Sequence, residues 1–233
     1  SWSSTVDFSN GANPESEPCY NAAMTLMKTP PSSNHFVANV DWDGYCKVLE
    51  AMAPNRIRIT YDRGVVELMS PTPEHERLKS QLSCVLEAIF LAYDVDFLNG
   101  GSTTFKNQLI DKGFEPDECY WLTRLDEVAD VTRIDPALGP FPDLGIEIDV
   151  TSNSLNRMAI YAAFKVTELW RWEQDGQLRC YQLGGDGYLE VEKSQFLPKI
   201  AMTELQHFVE QGRHLITSKL IRQARQWALE KIR

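Results

Sequence analysis

The sequence is short of positive charge and of cysteine, and it has no long apolar run. Of its 233 residues, 23 are Lys or Arg against 33 Asp or Glu, a formal net charge of −10. That balance excludes a protein that coats nucleic acid non-specifically, because such binding relies on cations neutralising many phosphates. It leaves room for a nuclease, in which a local basic rim surrounds an acidic, metal-loaded centre. The five cysteines, Cys19, Cys46, Cys84, Cys119 and Cys180, are odd in number and fit neither a zinc site nor a disulfide framework. Reduced thiols in a cytoplasmic protein are the expectation. No stretch approaches the ~18–20 apolar residues of a membrane span, so no membrane partner is expected. The start does not read as a signal peptide, and Ser1 in place of Met reads as a trimmed beginning.

What is present is enough for a core. Hydrophobic residues make up 43%, which excludes global disorder, and the length suits one large domain. Residues 1–37 are rich in Ser, Asn, Pro and Thr and read as a flexible extension, leaving 38–233 as a single domain. Asp41 is placed to cap a helix running to Met52, with Tyr45, Val48 and Leu49 as its apolar stripe. Arg56–Thr60 and Val65–Met69, joined by Tyr61-Asp-Arg-Gly64, predict a hairpin. Thr72 caps and Pro73 opens a long helix whose Leu78, Leu82, Val85 and Ile89 repeat at helical spacing. Short strands are expected at 95–98 and 103–106, a helix over 154–164, a strand over 167–172, then a meander through 177–183 and 188–192. A helical region closes the chain from Thr203 to Arg233, with Ile216, Leu220, Ala224 and Trp227 at helical spacing. This order predicts a mixed α+β (α/β) fold, a mixed central sheet flanked by helices.

The most telling stretch is Phe141-Pro-Asp-Leu-Gly-Ile-Glu-Ile-Asp-Val-Thr151. It alternates strictly, so Leu144, Ile146, Ile148 and Val150 share one strand face and Asp143, Gly145, Glu147 and Asp149 the other. A row of carboxylates on one face can hold a divalent metal; it can equally be the wet face of a half-exposed sheet. A second Pro-Asp stands upstream in Phe114-Glu-Pro-Asp-Glu-Cys-Tyr-Trp-Leu122. Two acidic strands joined by a connection are what a metal-dependent phosphodiesterase needs.

Five motifs together resemble the Uma-type endonuclease family, domain of unknown function 820, of the PD-(D/E)XK restriction-endonuclease-like superfamily, in its cyanobacterial form. They are Ile59–Arg77, Gly101-Ser-Thr-Thr104, Glu115-Pro-Asp-Glu-Cys-Tyr120, Pro142-Asp-Leu-Gly-Ile-Glu147 and Glu168-Leu-Trp-Arg-Trp172. The resemblance covers most of the chain from about Val40 onward. It implies a restriction-endonuclease-like fold, Mg²⁺ or Mn²⁺ as cofactor, DNA as substrate, a homodimer, and hydrolysis of phosphodiester bonds. It further implies Asp117 and Glu147 as the two metal-binding acids. The superfamily's usual Lys position, two residues after the second acid, is Asp149 here, a third metal-ligand candidate. In this family the Lys often sits on the next helix, one turn before a Tyr; that position is Arg157, before Tyr161, and its neighbour, often Asp, is Asn156. Arg keeps the charge and grips phosphate, but it cannot act as a general base. The alternative is a catalytically decayed relative serving as a nucleic-acid-binding or protein-interaction module; a hydrolase of small phosphate esters is a third reading.

Other residues are weighed around this pair. Glu74 and His75 stand in the first turn of the long helix, where an acid is favoured by the helix dipole and where such a helix in this fold borders the site. Glu67 is expected to face solvent. Asp143 is too close to Glu147 to be the first acid. Trp170 and Trp172 read as core or dimer contact before base-stacking platforms, and His207 and His214 as solvated. The basic C-terminal residues, from Arg213 to Arg233, read as a solvated face or a phosphate-tracking surface.

Overall fold

The computed structural model describes residues 35–53, 55, 57–130, 135, 137–149 and 155–232, all within the structural unit 31–233. The expected flexible extension 1–37 lies outside the described residues except at its end, where His35–Asn39 forms strand β1. Helix α1, Trp42–Met52, starts as expected, with the Asp41 side chain accepting from Gly44 N–H. Strands β2, Arg58–Asp62, and β3, Val65–Met69, form the predicted hairpin. Its two-residue turn needs two left-handed residues, and Arg63 (φ 44°) and Gly64 (φ 87°) supply them.

Helix α2, Pro73–Ala92, begins with Thr72 accepting from His75 N–H and Pro73 in the first turn. Leu78, Leu82, Val85 and Ile89 are all buried, as their spacing requires. Short strands β4, Leu98–Asn99, β5, Phe105–Asn107, and β6, Lys112–Phe114, follow. Then come β7, Glu118–Trp121, the short helix α3, Leu125–Val128, and β8, Leu144–Ile148. Helix α4, Arg157–Ala163, precedes β9, Glu168–Trp172, and the meander β10, Leu178–Gly184, and β11, Gly187–Val191. The C-terminal helical region is two helices, α5, Met202–Gln211, and α6, Thr217–Ile232. Ile216 lies ahead of α6 and is exposed, so it leaves the expected stripe; Leu220, Ala224 and Ala228 carry it instead.

The strands divide between two sheets, where one mixed central sheet was expected. The mixed sheet has the order β11-β10-β9-β8-β7-β4, and its parallel pair, β8–β9, is joined through α4. The other sheet, β1-β3-β2-β6-β5, is antiparallel. One face of the mixed sheet sends Tyr120, Leu144, Ile146, Ile148, Trp170 and Trp172 into a core shared with α2, α5 and α6. The other face, with Cys119, Trp121 and Leu169, packs against α4 and against Phe105 and Phe114 of the second sheet. Both faces of β8 are therefore covered. The acidic face of this strand does not meet water, because α4 lies over it. Among the described residues no helix is long and apolar enough to cross a membrane. The four described cysteines are free thiols.

Candidate active site

The two acids lie at the paired strands β7 and β8. In the β7–β8 ladder, Glu118 pairs with Ile146 and Cys119 with Gly145. Asp117 stands one residue ahead of β7, and its side chain accepts the N–H of Ile148, the residue after Glu147. Both acids are buried, Asp117 at 1% and Glu147 at 2% exposure.

Asp117 is held from three sides. Its Oδ2 accepts the Ile148 N–H at 2.8 Å and lies 3.0 Å from His75 Nε2. Its Oδ1 accepts from Arg58 Nε at 3.3 Å. Burial pushes this carboxyl up, but the His75 hydrogen bond and charge outweigh burial and hold it below the usual carboxylate range. His75 is the reciprocal case: burial would lower it, and Asp117 raises it above an ordinary histidine. Of the two first-turn candidates, His75 is therefore in the site. Glu74 is exposed and faces Arg213 at 3.7 Å.

Glu147 sits under α4. Arg157 NH1 lies 3.0 Å from its Oε1 and 2.9 Å from its Oε2, and the Tyr161 hydroxyl donates to Oε1. Arg157 and Tyr161 are four apart, so one helix face presents both. The Tyr161 ring fits because β8 has no side chain at Gly145: a Cβ there would stand 2.7 Å from Tyr161 Cε1. Burial pushes the Glu147 carboxyl up to about 7, against the opposing pull of Arg157 and with the Asp117 and Asp149 charges adding to the rise. Burial would lower Arg157, but the Glu147 charge reverses that, and it stays a cation. Arg157 is thus a buried partner of the second acid and not a surface or capping residue. Capping of α4 is done by Asn156, whose side chain accepts from Ala159 N–H at 3.1 Å. Asn does this as well as Asp, so the departure at 156 leaves the helix start intact.

Glu67 overturns its expected place in solvent. It is fully buried; its Oε2 accepts from Leu155 N–H at 3.1 Å and lies 3.2 Å from His35 Nε2, and its Oε1 is 3.5 Å from Arg157 NH2. Asp149 takes a fork from Arg171, at 2.6 Å to NH2 and 2.8 Å to Nε. Arg171 is the parallel-register partner of Glu147 on β9. Asp149, Arg157 and Arg171 line a polar cleft of about 480 Å³. A larger cleft of about 550 Å³, more apolar, touches the site through Arg58.

Asp143 is structural. Its carboxylate accepts from the N–H groups of Leu122 and Thr123 and from the Thr123 hydroxyl, closing the turn beside β8. Trp170 and Trp172 are buried in the core. His207 and His214 are exposed, as are Arg213, Lys219, Arg222 and Arg225. Arg58, Arg171 and the buried role of Glu67 escaped the sequence reading, in which Tyr161 served only as the landmark after Arg157. The four-residue step from Arg157 to Tyr161 was the one local signal.

An all-oxygen pair suits a hard divalent cation, which keeps several waters when bound by one or two carboxylates. Asp117 and Glu147 offer such oxygens, and a single nitrogen of Arg157 stands nearly equidistant from both Glu147 oxygens. No group of three or more His, Cys, Asp or Glu converges as a metal-holding cluster among the described residues. Asp149, the expected third ligand, is turned to Arg171.

A mixed α+β protein with a buried carboxylate pair across two neighbouring strands, guarded by arginines, is the class that fold and site define. The chain belongs to the Uma2 family, described as "putative restriction endonuclease", which it matches over residues 42–227. It is similar to the crystal structure of a "putative nuclease belonging to DUF820" from Anabaena variabilis ATCC 29413, at 12% identity and a TM-score of 0.48, over 65% of this chain and 90% of that one. Among curated proteins none matches it.

Proposed function

We propose that this protein is a divalent-metal-dependent endonuclease hydrolysing DNA phosphodiester bonds, working in the cytoplasm as a homodimer with one centre for each strand. The observation that carries the reading is that Asp117 bonds the Ile148 N–H beside Glu147, both acids being buried and both held by named partners. Asp117 and Glu147 would hold Mg²⁺ or Mn²⁺. Such an ion acts as a Lewis acid on the phosphate and lowers the pKa of water.

The chain's own residues do the rest. His75, Arg58 and the Ile148 N–H fix Asp117 in its ionised form. Arg157 places a permanent positive charge beside Glu147, where negative charge develops on a phosphate in the transition state. Arg171, half-exposed on the rim of the same cleft, meets an incoming phosphate first. With Arg58 these make the local basic rim that a protein of net charge −10 needs.

Duplex DNA with Mg²⁺ or Mn²⁺ is the direct test. Wild type cuts, and Asp117→Asn and Glu147→Gln each lose at least about 100-fold, on the scale of losing a charge-stabilising group. Robust cutting by the double variant removes the proposal. The second reading, a non-catalytic binding module, draws on one observation: both Glu147 oxygens already have a guanidinium, at the position where the family resemblance implies Lys. Calorimetry with Mn²⁺ near neutral pH separates the two, since a module without metal binding belongs to the second.

A further inference from the structure

Arg157 stands between two carboxylates from different sheets. NH1 lies on Glu147 of β8, and NH2 is 3.5 Å from Glu67 Oε1 of β3. A cation and this guanidinium compete for the same Glu147 oxygens. If Arg157 had one carboxylate alone, each would exclude the other: metal would expel the arginine, or the arginine would block the metal. Glu67 removes that conflict. It offers the guanidinium a second anionic partner, on β3. It also accepts the Leu155 N–H, two residues ahead of Arg157, and so fixes the backbone from which the arginine rises.

We propose that Glu67 is a positioning residue that keeps Arg157 in the site while Glu147 is given over to the cation. The inference rests on the metal-dependent reading above and adds to it the residue that lets metal and arginine coexist. Glu67 touches neither cation nor phosphate. It acts through Arg157, and its fully buried place beside His35 and Leu155 makes it a fixed post.

The test is Mn²⁺ calorimetry on the full chain, without DNA, for wild type, Glu67→Gln, Arg157→Met and the double variant. Gln keeps an oxygen for the Leu155 N–H and removes the charge. In the wild-type background Glu67→Gln weakens Mn²⁺ binding about tenfold, because a guanidinium left with one carboxylate holds Glu147 harder. In the Arg157→Met background the same substitution changes binding less than about twofold, the small remainder being its direct through-space effect on the ion. Equal weakening in both backgrounds, or none in either, overturns the proposal, because Glu67 then acts on the ion directly or not at all. If Glu67→Gln does not fold, Glu67→Asp, one methylene shorter, replaces it with the same expected contrast. Absence of Mn²⁺ binding in wild type and in Arg157→Met alike sinks the underlying metal reading, and this inference with it.

Discussion

Replacing Gly145 by alanine tests how the site is built. The new Cβ would stand 2.7 Å from Tyr161 Cε1, 3.2 Å from Cδ1 and 3.4 Å from Leu169 Cδ1. Ordinary contact begins near the last of these distances, so the ring has to retreat by about 0.7 Å. It has nowhere to go. Phe114 packs tilted against the ring at 4.4 Å between centroids, and Phe114 is itself backed by Phe105 and Phe164. Overpacking a full core costs about 1–3 kcal/mol. If the ring tilts instead, its hydroxyl leaves Glu147, and a hydrogen bond to a charged group is worth about 1.5–3 kcal/mol. Since either escape is taken in part, the expected loss is about 2–4 kcal/mol. Urea unfolding followed by tryptophan fluorescence measures it. The cycle with Tyr161 assigns it: in a Tyr161→Phe background the ring remains and the alanine still costs, whereas in a Tyr161→Leu background most of the cost disappears. A loss under about 0.5 kcal/mol, the range of an ordinary surface change, refutes the account. So does an equal cost in all three backgrounds.

Two further outcomes follow from the charges. Arg157→Lys keeps a cation but has one nitrogen in place of a fork, so it cannot face Glu147 and Glu67 together; DNA cutting falls at least about tenfold while Mn²⁺ still binds, and a gain in cutting would mean that Arg157 marks decay of the site. In chelator, Glu147 holds its proton in the folded protein up to about 7, while the unfolded chain releases it near the ordinary 4.5. Between those values the folded state binds more protons, so stability falls as pH rises; the slope is shallower in Glu147→Gln, and equal slopes in the two proteins contradict the raised carboxyl.

The parts of the fold set by near neighbours in sequence were legible in advance. The hairpin was readable because Arg63-Gly64 is flanked by alternating apolar residues, and α2 because Thr72, Pro73 and a four-three-four apolar repeat say the same thing. Family resemblance singled out Asp117, Glu147 and Arg157; all three are buried, with Arg157 upon Glu147 and Asp117 upon the neighbouring Ile148 N–H. Period-2 patterning misled at β8. It says which residues share a strand face, but not what covers that face. The acids of β8 alternate with apolar residues as a wet face would, whereas Glu67 is the one polar residue of Val65–Met69 and period 2 does not place it. The cover over β8 is α4, and Glu67 is enclosed with Leu155 of the loop ahead of that helix. Helix α4, Arg157–Ala163, is apolar at every position but the first, which says that it is buried but not which sheet face it covers.

The same cover explains how so many charges stay buried here. Taking a carboxylate from water costs several kcal/mol, and one counter-ion repays it only with good geometry and further hydrogen bonds. Asp117 has a backbone donor, an imidazole and a guanidinium; Glu147 has a guanidinium and a phenol; Glu67 has a backbone donor, an imidazole and the other arm of the Arg157 guanidinium. Simple stability is better served by apolar residues of similar volume, since replacing buried ion pairs with them is often neutral or stabilising. The arrangement therefore spends stability on holding oxygens at fixed points. Of the two neighbouring acids Asp117 and Glu147, burial pushes only Glu147 up, to about 7, while Asp117 is held low. On the metal-dependent reading proposed above, a cation held by Asp117 and Glu147 would relieve that position.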